Sequence, residues 1–353
     1  MVTSDIVLKN TAELFVEYEG ETVKIRALAK EDIGSVSKLL AYRHKQERKQ
    51  FKSLNAIFEE HETLEPIAVK MFDEKLMISV GAFDGDRLLG FIISTVKADT
   101  VFGRCAWVKY DGLALAEGVE HGLYRELYAA IADKWIQAGC LKHFVIVPAG
   151  QDGVISAWLN SGFAYEQVFG LKELSPSTVE PLEGVTVRKA LSDDKNALAS
   201  ISGNILSFQA QSPTYAAALP EMFAELADGY AGLADDEESH VLLAYRDNEL
   251  LGFTCGYFEG ENNFNMMIPP KSTELGVAAT NSVSQNKGVG TLLTQSLFND
   301  AIDAGYENST TDWRITNLKS SVFWPKMGYR PYAYRMVRTI DERILWADGH
   351  RKL

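Results

Sequence analysis

Between residues 185 and 338 the apolar and polar positions follow two alternating periods. Residues 185–190 alternate one by one, as a half-buried strand does, and Ser192-Asp193-Asp194 supplies the short polar side chains that begin a helix. The stretch 221–230 repeats its apolar positions at helical spacing. Residues 241–246 and 250–257 read as two strands about the turn Asp247-Asn248. After a polar loop through Pro269-Pro270 the pattern predicts a strand at 274–280 and a helix at 288–304 ending on Gly305. A strand at 309–315, a helix at 318–327 stopped by Gly328 and a strand at 329–338 complete it. Hairpins first and strand–helix crossovers later predict an α/β (mixed α+β) sheet.

The first half carries the same order at a fixed separation. Arg26-Ala27-Leu28 recurs loosely as Arg188-Lys189-Ala190-Leu191, and Leu88-Leu89-Gly90-Phe91 recurs as Leu250-Leu251-Gly252-Phe253, both 162 residues on (188 − 26, 252 − 90). Ala138-Gly139, Trp158 and Gly162-Phe163 match Ala304-Gly305, Trp324 and Gly328-Tyr329 at 166. Preserved order over the whole length predicts a duplicated domain. The polar, two-proline stretch 175–184 reads as the linker between residues 1–174 and 185–353, and residues 14–18 alternate as an additional strand.

A chain of 353 residues is long enough for two cores. With 46% hydrophobic and 24% charged residues it reads as folded, and its apolar runs have strand length, too short to span a membrane. The first residues lack a basic start and an apolar core, so the expectation is no secretory signal and a cytoplasmic protein. Cys105, Cys140 and Cys255 are far apart, with no CxxC, which argues against disulfides and a zinc site and for small buried apolar residues. A net charge of −13 disfavours nucleic acid and suits a cationic or amine-bearing substrate, or simple solubility.

Between the strand at 274–280 and the helix at 288–304 lies Gln285-Asn286-Lys287-Gly288-Val289-Gly290-Thr291. Such a loop points backbone N–H groups at an anion from the positive end of a helix, and glycine lets phosphate come close. It is no Walker loop, because Lys287 precedes Gly288, and no dinucleotide fingerprint, because position 293 is Leu. A plain strand-to-helix turn is the bland reading of these residues.

Taken together, 274–280, Gln285-x-x-Gly288-x-Gly290, Asn317 and Gly328-Tyr329 resemble the GNAT acyltransferase superfamily, and more narrowly its tandem, mycothiol synthase-like members. The resemblance implies two tandem domains of this fold, each a mostly antiparallel twisted sheet with a splayed parallel strand pair and flanking helices. It implies that acetyl-CoA, held without a metal, lies with its pantetheine beside Ala278, Ala279 and Thr280, its pyrophosphate on Gln285 to Thr291, and a further contact at Asn317. The implied reaction is N-acetylation of a primary amine of a small molecule or peptide, with the chemistry in the C-terminal half. A coenzyme-A-binding sensor or scaffold without turnover is the alternative.

Glu274 stands where mycothiol synthase-like proteins carry a Glu, and is the candidate general base; an exposed charge at a strand end is the competing reading. A strict period of two puts it on one face with Gly276, Ala278 and Thr280. Where many members of the superfamily have a Tyr that protonates the leaving thiolate, this chain has Trp324. That proton then comes from water, from Tyr257 or Tyr334, or is not supplied. Asp312 and Arg314 share a strand face and read as a structural ion pair rather than substrate contacts.

At the duplicated position the loop becomes Val119-Glu120-His121-Gly122-Leu123-Tyr124, and Gln151 replaces Asn317. Glu120 opposes a phosphate and Tyr124 obstructs its approach, so the expectation is that the N-terminal half keeps the fold, loses the coenzyme, and shapes the substrate cleft or a homodimer. His121 reads as a loop residue. The run 43–49 reads as a solvated basic helix face, with a clamp for an acidic substrate group as the sharper alternative.

Overall fold

The structure is a computed structural model that describes residues 14–18, 21–258, 260 and 262–347. The first half runs β1 (Leu14–Tyr18), β2 (Glu21–Arg26), α1 (Ile33–Arg48), α2 (His61–Phe72), β3 (Met77–Asp84), β4 (Arg87–Asp99), β5 (Gly103–Val108), β6 (Leu113–Leu115), α3 (Leu123–Gln137), β7 (Lys142–Pro148), α4 (Asp152–Leu159) and β8 (Ala164–Glu173). The second runs β9 (Thr186–Lys189), α5 (Lys195–Ile201), α6 (Gly203–Gln209), α7 (Pro220–Gly232), β10 (Ser239–Arg246), β11 (Glu249–Phe258), β12 (Ser272–Thr280), α8 (Val289–Asp303), β13 (Asn308–Arg314), α9 (Ser320–Lys326) and β14 (Arg330–Thr339). The periodic segments of the sequence therefore form the expected element types, with ends shifted by a residue or two. The short helix α6 is an addition.

The chain forms two compact units, and each takes in most of the closing strand of the opposite half. Unit 1 holds the described residues up to Lys52, Ala56–Tyr165 and those from Tyr334 on; unit 2 holds Ser53–Asn55 and Glu166–Ala333. The sequence boundary at 175–184 and the spatial division thus fall differently, because pairing of the closing strands is decided by long-range contacts.

In unit 1 the sheet order is β1-β2-β3-β4-β5-β7-β14, with β6 on β4. Leu123, Leu127, Ile131 and Trp135 recur every fourth residue along α3 and are fully buried against the sheet, the apolar stripe that makes this helix a core element. Ile340 N–H donates to the Leu141 carbonyl (2.8 Å), tying the end of β14 to the start of β7.

In unit 2 the order is β8-β13-β12-β11-β10-β9. β8 pairs antiparallel with β13 over all seven residues from Asn308 to Arg314. Gly170 on β8 has no room for a Cβ, which would stand 2.5 Å from the Trp313 ring, so the ring packs directly on its backbone. α8 buries Leu292, Leu293, Leu297 and Phe298, while on the other face Leu198, Ile201 and Tyr230 of α5 and α7 cover Phe253, Cys255 and Ala279. All three cysteines are buried and unbridged, the small apolar role expected of them. Among the described residues no helix is long and apolar enough to cross a membrane.

Candidate active site

Two neighbouring strands of unit 2 part company in mid-course. β12 and β13 pair in parallel only over Ser272–Glu274 and Asn308–Thr310. Beyond that, β12 stays paired with β11 on one side and β13 with β8 on the other. The edges facing each other from Leu275 and Thr311 onward open into a V. Its apex is closed by the Thr311 hydroxyl, which donates to the Leu275 carbonyl at 2.8 Å. Ala278, Ala279 and Thr280 lie on the open arm of β12.

A bulge shifts the alternation on that arm. Tyr257 faces Glu274 and Cys255 faces Val277, but Gly256 faces Leu275, so Gly276 is the extra residue. Glycine is required there: a Cβ would stand 2.7 Å from the Tyr257 ring. The consequence corrects the period-of-two expectation. Glu274 shares a sheet face with Val277 and Ala279, the side covered by α5 and α7, and not with Ala278 and Thr280. Glu274 is exposed on that face. Tyr332, whose hydroxyl donates to the Met267 carbonyl (3.1 Å), is pushed up chiefly by burial, with the Glu274 and Asp312 carboxylates adding to it.

The loop after β12 has the backbone that its glycines require. Asn286 sits at φ 61° and Gly288 at φ 85°, both left-handed, and Gly288 is the N-cap of α8. The first helical bond runs from Leu292 N–H to the Gly288 carbonyl (2.9 Å), so the N–H groups of Val289, Gly290 and Thr291 have no partner within the helix. Leu182 packs against Gly288, 3.3 Å from where a Cβ would stand. Around Gly290 the protein leaves space, the nearest atom to a Cβ being Phe323 Cζ at 3.6 Å. Val289 is buried and offers only its backbone.

The start of α9 completes the cluster. Asn317 is buried, and its Oδ1 accepts from the N–H groups of Lys319 (3.2 Å) and Ser320 (3.1 Å), so it caps this turn. Lys319 donates to Gln285 Oε1, joining α9 to the loop. Sequence reading missed Lys319, although a cation at the N-terminus of a helix runs against the helix dipole and is itself a signal.

Residues 205–329 match the model of the Acetyltransferase (GNAT) family. The second half of the chain carries a GNAT acetyltransferase domain. No curated protein matches the chain. Its fold is similar to that of a tandem GNAT protein from the clavulanic acid biosynthesis pathway (14% identity, 90% of this chain and 98% of that one, TM-score 0.51). It is similar also to a GCN5-related N-acetyltransferase from Sphaerobacter thermophilus (12% identity, 90% and 95%, TM-score 0.56). GNAT enzymes generally use acetyl-CoA, and the V and the left-handed loop of this GNAT domain fit an extended pantetheine and a pyrophosphate.

Trp324, at the position where many GNAT enzymes carry a Tyr, is a packing residue: it is buried, edge-on to Tyr329 (5.7 Å) and Phe323 (4.8 Å). Of the alternative proton donors, Tyr334 lies in unit 1 and packs on Tyr165 (4.8 Å). Tyr257 stands opposite Glu274, and burial, with Cys255 beside its hydroxyl, pushes it up to about 12 against the opposing hydrogen bond of Ser239, so it keeps its proton at neutral pH. Arg314 pairs with Glu166 of β8.

Unit 1 shows the duplicated loop built differently. Gly122 has helical φ −54° and ψ −27°, so the left-handed turn of Gly288 has no counterpart. The Tyr18 hydroxyl donates to the Glu120 carbonyl at 3.0 Å and lies over Gly122. Tyr124 does not obstruct the loop; it turns into the core, fully buried beside Trp158, because its position falls on the apolar face of α3. The His121 ring packs against Gly153, whose place in the second half is taken by Lys319. Nor is 43–49 a solvated face: Arg43, His44 and Glu47 are buried, with Arg43 donating to the carbonyls of Tyr110 (2.6 Å) and Leu113 and pairing with Glu47 (2.8 Å).

Proposed function

We propose that the chain is an acetyl-CoA-dependent N-acetyltransferase acting on a primary amine of a small molecule or peptide, with one coenzyme site, in residues 185–353. The observation that carries this reading is the V between β12 and β13, because it leaves a row of strand backbone unpaired directly before the left-handed loop Gln285–Gly290. A thioester laid along the open edge of β12 pairs with the backbone of Ala278, Ala279 and Thr280 as an added strand does. The N–H groups at Gly288, Val289, Gly290 and Thr291 hold the pyrophosphate, with Gln285, Asn286 and Lys287 at its rim and Asn317 Nδ2 as a further donor. Bound coenzyme supplies the activated acyl carbon. The domain supplies N–H groups that hold the acyl oxygen and the carboxylate of Glu274, which takes the proton of the attacking amine on the face covered by α5 and α7.

The apolar Trp324 favours a second reading, a coenzyme-A-binding sensor or scaffold without turnover. Acetyl-CoA and a panel of amines, with coenzyme A release followed by a thiol reagent, separates the two. Steady release with any amine supports the enzyme. Tight coenzyme A binding with no release across the panel supports the sensor, and absence of binding removes both.

A further inference from the structure

One short segment of unit 2 joins the two arms of the V at their open end. From the α6 side, Asn204 Nδ2 donates to Asn281 Oδ1 (3.1 Å), just past the end of β12. Five residues beyond α6, Thr214 accepts from the Thr316 hydroxyl (3.1 Å), just past the end of β13. Between these ties, Phe208 presents its ring to Lys319 Nζ, 4.7 Å from the ring centroid. The same ammonium donates to Gln285 Oε1, the first side chain of the left-handed loop. Lys319 is exposed, so nothing in the core demands its charge, and at the N-terminus of α9 the helix dipole opposes it.

On the reading of the loop as a coenzyme A site, we infer that Lys319 is a positioning residue for the coenzyme diphosphate and that it reports occupancy to the 203–216 segment through Phe208. Without ligand the ammonium has a neutral amide and a ring face as partners, both weak holds at an exposed site. A diphosphate beside Gln285 offers full negative charge, so the ammonium exchanges a bond to a neutral amide for an ion pair with a hydrogen bond in it. Lys319 therefore moves to the phosphate when coenzyme binds. Phe208 then loses its cation, the middle tie of the segment is released, and the mouth of the V loosens on the side from which an amine must come.

The test uses the full chain, coenzyme A as the probe, and Lys319→Met and Lys319→Arg. Calorimetry should show about tenfold weaker binding for Lys319→Met, with a shallower salt dependence, and affinity recovered in Lys319→Arg. Hydrogen exchange at 203–216 should quicken in the wild type when coenzyme A is added. In Lys319→Met it should be fast with or without it; the discriminating readout is the wild-type response to coenzyme A, which a purely structural lysine does not give. Coenzyme A binding by Lys319→Met at wild-type affinity, or wild-type exchange at 203–216 indifferent to coenzyme A, overturns the inference while the loop reading stands. A wild-type chain that does not bind coenzyme A overturns the loop reading itself, and this inference with it.

Discussion

Arg188 holds Asp194 with both guanidinium nitrogens, at 2.7 Å each, and Arg26 holds Asp32 in the same way at 2.7 and 2.9 Å. Each carboxylate also accepts a backbone N–H at 2.8 Å, from Leu191 and from Ala29, just ahead of a helix. The two copies have kept this strand-to-helix clasp while their loops diverged. The Arg188 guanidinium holds Asp194 down at about 2. A carboxyl depressed on folding stabilises the fold above its ordinary value of 3.8, and that contribution is lost as pH falls toward about 2. Asp194→Asn should cost about 1–2 kcal/mol near neutral pH, and its urea midpoint should converge with the wild type in strong acid.

His143 in unit 1 gives a second pH dependence. Its Nε2–H donates to the Cys140 carbonyl (3.0 Å) and its Nδ1 accepts from the Tyr128 hydroxyl (2.9 Å), the arrangement of a neutral ring. Burial first, and the Arg338 charge after it, lower it to about 4 from 6.5. The unfolded chain therefore binds more protons in this interval, and stability falls as pH drops from about 6.5 toward about 4. His143→Gln should flatten this slope in thermal unfolding measured across the interval; an unchanged slope assigns it elsewhere.

The two glycines of the loop should separate stability from binding. Gly288 sits at φ 85°, which costs an L side chain about 1–2 kcal/mol, so Gly288→Ala should lower both the melting temperature and coenzyme A affinity. Gly290→Val meets no protein atom nearer than 3.6 Å at its Cβ and should melt close to the wild type, yet lose coenzyme A affinity by an order of magnitude or more. Equal affinity in calorimetry would count against phosphate at this loop.

Glu274→Gln keeps the shape of the strand and removes the base. With coenzyme A affinity unchanged, kcat should fall about a hundredfold or more, and the rate should lose its acid limb. Full turnover in this variant points to water as the proton acceptor.

Much of this protein was legible in its order of residues. Strand and helix periods are local, so Ser272–Thr280 and Val289–Asp303 could be read within a residue or two, and the duplication was visible because Arg26 and Arg188 repeat in register. Gly288 and Gly290 marked a loop whose backbone a ligand could approach closely before helix α8, while the left-handed turn at Gly288 appeared only in the structure. Other features depend on contacts between distant residues and have no local signature. The bulge at Gly276 turns Glu274 to the other face of the sheet, yet one extra residue leaves the apolar pattern almost unchanged. The exchange of closing strands between units, the burial of Arg43 and Glu47 within a run of charges, and the meeting of Lys319 with Gln285 and Phe208 likewise follow from packing. The chain's own periodicity determined which elements exist and between which of them the glycine loop lies; the tertiary structure decided which side chains those elements bring to it.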